Sequence, residues 1–247
     1  MTEPTHRDLA IWLSTPHTAM IEIARDLGFG RVVLDLEHGI FDLDPTDRLI
    51  AYARALGLRV YAKVPGPETI PIQQALDIGA DGVIVPHILD AGHAAAVCSA
   101  AKYPPLGRRS FAGGRTVRYD APPDGWFAAE NTRQLCFPMV ESAAALADID
   151  AILALPTVDG VFVGPSDLAL SRGRDRYRFD AADQADLKVI AEAARAAGKP
   201  WIMPAWTPGE RKLSAELGAA WRVVADETGS IYVGLEAALT SIKGNGT

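Results

Sequence analysis

Eight short apolar runs, each followed by a longer stretch of helical period, restrict the fold of this chain more than any other feature. The runs are Leu9–Leu13, Arg31–Leu36, Arg59–Val64, Gly82–Pro86, Leu135–Val140, Gly160–Val163, Pro200–Pro204 and Trp221–Ala225. Helices are predicted at roughly 18–27, 45–56, 68–78, 90–102, 142–154, 184–198, 208–217 and 229–243. Strand–helix alternation implies a parallel sheet, and eight such units close into an α/β fold of the (β/α)8 TIM barrel type. A length of 247 residues suits one such barrel, and 49% hydrophobic residues are enough for a single large core. One domain over residues 1–247 is therefore expected.

The helix-to-strand joints share a local pattern: Leu27-Gly28, Leu56-Gly57, Ile78-Gly79, Ala197-Gly198 and Leu217-Gly218. Glycine just after a helix takes the left-handed conformation and the next strand starts at once. These joints mark the short, structural end of the barrel. The opposite end carries the longer loops, the longest from Tyr103 to about Asn131, and loops of that length usually serve function or subunit contact.

In such a barrel the active site lies at the C-terminal ends of the strands. Asp35, Glu37 and His38 follow the second run, Lys63 ends the third and His87 follows the fourth. Glu141 follows the fifth and Asp167 the sixth. Any one of them has an ordinary reading as a helix cap, a structural histidine or a solvated strand end. Their joint occurrence on one rim favours chemistry. Carboxylates from neighbouring strands make a hard-cation site of the Mg2+ or Mn2+ kind, and histidine is the side chain suited to proton transfer near neutral pH. A short helix starting at Gly164-Pro-Ser166-Asp167 would turn free N–H groups toward the rim. Arg108, Arg109 and Arg115 read either as surface charges or as binders of an anionic substrate. Gly113-Gly114-Arg115 lacks the spacing of a phosphate loop.

A net charge of −7 without a basic stripe disfavours nucleic acid and anionic membranes as partners. Cys98 and Cys136, the only cysteines, lack metal spacing and read as buried core residues. The N-terminus lacks the pattern of a signal peptide and no apolar stretch spans a bilayer, so a soluble, cytoplasmic protein is expected. The tail Gly244–Thr247 is expected to fray.

These motifs resemble the HpcH/HpaI aldolase family, the class II pyruvate aldolases of the phosphoenolpyruvate-utilising barrel superfamily. The markers are Asp35-Leu-Glu37-His38-Gly39, Ala75 to Pro86, Tyr103-Pro-Pro-Leu-Gly107-Arg, Val140-Glu141-Ser and Asp159 to Leu168. The resemblance implies an aldehyde-lyase that joins a 2-keto acid enolate to an aldehyde, with a divalent metal, Mg2+ or Mn2+ and Co2+ as a third candidate. It makes Glu141 and Asp167 the metal ligands and the backbone at Ser166 and Asp167 the carboxylate site. It makes His38 the base, acting through a metal-linked water whose environment Asp35 shapes. It further implies a homohexamer with the last helix exchanged between partners.

Three positions depart from the family pattern. Lys63 stands where the family has arginine, which keeps the charge but loses the planar fork. Met139 stands at a substrate-touching position where some members carry glutamine. Asp77 matches a residue described as raising the basicity of the histidine, yet it ends the third helix, at the far end of its own barrel. An enzyme using oxaloacetate and a non-catalytic keto-acid-binding barrel are the alternative readings.

Overall fold

In the computed structural model, residues 6–244 are described. The expectations for the extreme N-terminus and for the 245–247 tail fall outside that range. Eight parallel strands close into one barrel in sequence order: β1 Leu9–Leu13, β2 Arg31–Asp35, β3 Arg59–Lys63, β4 Gly82–Val85, β5 Leu135–Val140, β6 Val161–Val163, β7 Trp201–Pro204 and β8 Trp221–Asp226. Every expected strand is present, with ends moved by about a residue, as boundary assignment normally allows. No helix among the described residues is long and apolar enough to cross a membrane.

Two apolar layers hold the barrel. One lies between the strands and the outer helices, where Ile21, Leu49, Ile50, Leu76 and Ile190 meet strand residues such as Val32 and Val60. The other fills the barrel itself, with Tyr61 stacked on Trp221 at 4.8 Å between ring centroids and Phe137 at 5.9 Å from Tyr61. The structural end is built as the joint pattern implies: Gly28, Gly57, Gly79, Gly198 and Gly218 all have positive φ.

The segment after Tyr103 is more ordered than a plain loop. A helix spans Trp126–Arg133, and its first residues pack Trp126 and Phe127 against Tyr103 and Phe111 at 5.1–5.7 Å between centroids. A local pattern cannot reveal an eight-residue helix whose stability comes from aromatic contacts over a sequence gap. The expected helix at 142–154 is two, Ala143–Ala147 and Ile149–Ala154, broken where the Asp148 carboxylate accepts the Ala91 N–H at 3.1 Å.

The arginines of this segment are tethers: Arg108 is the surface charge one reading expects, whereas Arg109 and Arg115 are drawn into the fold, and none lines the cavity at the barrel mouth. Arg109 is buried and donates to Asp77 at 2.6 Å and to Gln134, with its guanidinium 4.7 Å from the Tyr103 ring. Arg115 grips Asp47 at 2.8 Å and the Ile78 carbonyl at 2.9 Å. Arg108 donates to Ser99 at 2.9 Å and the Ala96 carbonyl at 3.2 Å.

The last helix, Glu227–Gly244, is apolar on several sides. Ile231, Tyr232, Val233, Leu235, Leu239 and Ile242 are all exposed.

Arg109→Ala is expected to destabilise the fold by about 2–3 kcal/mol. Breaking a buried ion pair costs about 3–5 kcal/mol, and the 28% exposure of Asp77 reduces that. A urea midpoint unchanged from the native chain would show that the tether carries no stability.

Candidate active site

Side chains alternate between the two faces of a strand, so every second residue of each strand points into the barrel. Ala10, Val33, Tyr61, Met139 and Phe162 are inward. Two residues beyond Ala10, Val33, Tyr61, Met139 and Phe162 come Trp12, Asp35, Lys63, Glu141 and Gly164. The same parity carries these five to the mouth of the barrel, and Asp35 and Lys63 are direct register partners on β2 and β3.

Asp35, Lys63 and Glu141 are buried, and each has partners. The Lys63 ammonium forms an ion pair with Glu37, lies 3.6 Å from Asp35 Oδ1, and sits 5.9 Å from the centre of the Trp12 ring. Asp35 receives the N–H groups of Glu37 and His38 at 3.2 and 3.1 Å and the indole N–H of Trp12 at 3.2 Å. The carboxylate thus ties the Glu37–His38 turn to the barrel wall. Gly39 closes that turn by donating to the Asp35 carbonyl at 3.0 Å, and a Cβ there would lie 2.7 Å from the Ser14 carbonyl oxygen. No side chain fits, which accounts for glycine in the Asp35–Gly39 motif.

His87 joins the two acidic groups. Its backbone is left-handed at φ 60°, a conformation a non-glycine residue keeps only when its surroundings hold it. Its N–H donates to Glu141 Oε1 at 2.5 Å, and its Nε2 lies 2.7 Å from Glu37 Oε1. Burial opposes ionisation of Glu37, but the Lys63 bond and charge, with the His87 bond, outweigh it and hold the carboxyl below its ordinary range. Glu141 goes the other way. Burial raises it, the His87 N–H and charge resist, and the neighbouring Asp167 carboxylate adds to the rise.

Glu141 lies across the end of β6. A Cβ on Gly164 would come within 2.7 Å of Glu141 Cβ and 2.8 Å of its Oε2. The short helix expected after Gly164 is present as Pro165–Ser171, with proline in its first turn. Asp167 lies in that first turn, and the first intrahelical bond runs from Leu168 N–H to the Gly164 carbonyl at 3.0 Å. The N–H groups of Ser166 and Asp167 precede it. A cavity of about 210 Å3 opens here, lined by Trp12, Lys63, Met139, Ser166, Asp167, Tyr177, Pro204 and Trp206 among others.

Of the site residues read from sequence, Asp35, Lys63, Met139, Glu141, Ser166 and Asp167 come together. His38 stands at the rim with its side chain 69% exposed and its Nε2 3.5 Å from Glu37. Asp77 is not brought to this mouth: it closes the third helix and pairs with Arg109. Sequence reasoning counted Glu37 and His87 among the rim residues without a specific role, and did not point to Trp12, Tyr177 or Trp206. Strand parity could have found Trp12, and residues just past β7 could have suggested Trp206; no local signal points to Tyr177 or to the turn of His87.

Two oxygen donors of like charge, one of them buried, fit a divalent cation, which would offset the burial that chiefly raises Glu141 and the Asp167 charge that adds to it. Among the described residues no group of three or more His, Cys, Asp or Glu could hold a metal, so the remaining positions would fall to water and substrate.

Residues 9–205 match the family model described as HpcH/HpaI aldolase/citrate lyase. The chain belongs to that family. It is 37% identical to the 2-keto-3-deoxy-L-rhamnonate aldolase of Klebsiella pneumoniae over 77% of this chain and 72% of that one. It is 33% identical to the 4-hydroxy-2-oxovalerate aldolase of Novosphingobium aromaticivorans, over 78% and 73%. Among solved structures, citrate synthase SbnG superposes with a TM-score of 0.86 at 26% identity, over 97% of this chain and 94% of that one. With these relatives, this member of the HpcH/HpaI family is a carbon–carbon lyase on a TIM barrel.

Glu141→Gln is expected to stabilise the fold at pH 7 in a chelating buffer. A carboxyl raised above its ordinary 4.5 contributes stability below that pH and loses it as pH rises through the folded value. At pH 7 the buried charge therefore opposes folding, and the neutral isostere removes it. A gain of about 2–4 °C in Tm is expected, the shift about 1 kcal/mol produces in a chain this size, and it should vanish below the ordinary carboxylate value. A Tm difference independent of pH contradicts this account.

Proposed function

We propose that this chain is a metal-dependent class II aldolase that joins the enolate of pyruvate, or a close relative such as hydroxypyruvate, to an aldehyde and runs the reverse cleavage. The observation that carries the reading is the buried Glu141 carboxylate at the mouth of the barrel, with the Asp167 carboxylate near it, in a family of aldolases and citrate lyases. Glu141 and Asp167 would hold one divalent cation, Mg2+ or Mn2+ with Co2+ as a third candidate, since oxygen sites accept several metals. When bound, it supplies a Lewis acid at the keto oxygen.

The chain's own residues do the rest. The N–H groups of Ser166 and Asp167 receive the keto acid's carboxylate, and Met139 lines the same cavity. His38, on the turn that Asp35 holds, takes a proton from C3. Lys63 places a point charge where the enolate oxygen gains density, without the two-oxygen clamp of an arginine. The C3 electron pair then bonds to the aldehyde carbon, and the aldehyde oxygen takes up the proton. Asp77 has no place in this chain's own site; a role for it requires a neighbouring subunit.

A related reading, an oxaloacetate-using enzyme, is favoured by the likeness to citrate synthase SbnG. The two separate on comparing turnover of oxaloacetate with that of 4-hydroxy-2-oxo acids.

The reading is tested by exchange of pyruvate methyl protons in D2O, followed by NMR with and without added metal. Exchange is expected to need metal and to be lost in Glu141→Gln and Asp167→Asn. His38→Ala should slow it by about 10²–10⁴-fold, the usual scale for a general base. Full exchange in either carboxylate variant at ordinary metal concentration rejects the ligand assignment.

The same reading carries a homohexamer in which the helix Glu227–Gly244 docks on a neighbour and covers Ile231, Val233 and Leu235. Sedimentation velocity at micromolar concentration is expected to give a hexamer; a monomer rejects that assembly.

A further inference from the structure

The mouth of the barrel is divided by charge. Strands β2 to β6 deliver Asp35, Glu37, His38, Lys63, His87, Glu141 and Asp167. The side formed by β7 and β1 delivers Pro204, Trp206 and Trp12 to the same cavity, and Tyr177 reaches it from the segment before the helix Ala181–Ala197. Trp12 is fixed by its bond to Asp35 and by Phe162, 6.0 Å away between ring centroids.

Three cations near this apolar side, Lys63, Arg211 and Arg174, are engaged within the protein. Lys63, the one cation lining the cavity among the described residues, is paired with Glu37 and lies beside Asp35. Arg211 spends its guanidinium on backbone carbonyls: Ala205 at 3.1 Å, Trp206 at 2.8 Å and Val224 at 3.0 Å. It thereby holds the turn that presents Trp206. Arg174 pairs with Asp183 at 3.0 Å and Asp186 at 2.7 Å, which anchors the segment carrying Tyr177. Arg176, next to Tyr177, is exposed and does not line the cavity. The Tyr177 hydroxyl is buried beside Glu210, and burial first, then that carboxylate, push its ionisation far up, so it adds no charge.

We propose that the wall of Trp12, Tyr177, Pro204 and Trp206 seats the substituent of the aldehyde, and that this aldehyde is uncharged with an apolar or aromatic chain. The inference rests on the aldol reading above and names its acceptor class. A phosphate, sulfonate or carboxylate on the aldehyde would enter an apolar wall with no free cation lining it among the described residues. An alkyl or aryl group would instead leave water for aromatic surface. The volume of about 210 Å3, which the keto acid shares, lies below the roughly 300–1,000 Å3 of pockets for drug-sized ligands and limits the acceptor to a small one.

Butanal and succinic semialdehyde test this, because they differ by a methyl against a carboxylate at the far end of one chain length. With pyruvate and metal, kcat/KM for butanal is expected to exceed that for the semialdehyde by about 10-fold or more, the scale of discrimination an apolar pocket reaches. Trp206→Ala should lower kcat/KM for butanal at least 10-fold more than it lowers pyruvate proton exchange, and should shrink the preference. A merely structural role for Trp206 would lower exchange and both condensations together, leaving the preference intact, and that result overturns its assignment. Equal or better turnover of the semialdehyde by the native chain overturns the acceptor class. Proton exchange measured without aldehyde keeps the two failures apart. Exchange with no preference for butanal rejects only the acceptor inference. Absence of exchange in the native chain rejects the aldol reading and this inference with it.

Discussion

The buried ammonium of Lys63 organises the mouth of the barrel. It sits in a nearly dry position, and only the carboxylates of Glu37 and Asp35 make that tolerable. Those carboxylates in turn fix other parts. Asp35 takes the N–H groups of the turn that carries His38, and also the Trp12 indole. Glu37 reaches His87, whose backbone N–H meets Glu141. One buried charge thus links β1, β2, β3, β4 and β5 through direct hydrogen bonds and ion pairs. Such a network is costly to leave partly satisfied and therefore defines one arrangement of the rim.

The opposite electrostatic state of Glu37 and Glu141 follows from the same network. Both are withdrawn from water. Glu37 has a cation at contact distance, whereas Glu141 has a backbone N–H, a nearby imidazole and the more distant Lys63 charge, with a second carboxylate close by. The fold therefore keeps one acid comfortable as an anion and leaves the other short of positive charge. A site that stores unfavourable charge in this way is organised for a ligand that relieves it, at some expense to stability in its absence.

Much of this was legible in the chain. Strand parity follows from residue order, so Asp35 two after Val33, and Glu141 two after Met139, could be placed on one rim before any coordinate. The glycine joints told which end of the barrel was structural. Other residues misled. Arg109 and Arg115 stand in a long Pro- and Gly-rich stretch and resemble surface or substrate-binding charges, yet their partners are Asp77 and Asp47, 32 and 68 residues away in sequence. His87 could not be distinguished from a passive rim residue, because its role depends on a left-handed backbone and on two carboxylates from other strands.

By itself the sequence determined the barrel, its strand order, the polarity of its two ends and the identity of the charged groups at one of them. Those properties follow from local periodicity and from the geometric rules for closing parallel sheets. The tertiary structure alone decided which charges neutralise one another, which face of the mouth is apolar, and how Trp206 and Tyr177 come to share a cavity with Lys63. Electrostatic pairing depends on separations of a few ångströms between side chains distant along the chain, and no periodicity encodes those distances.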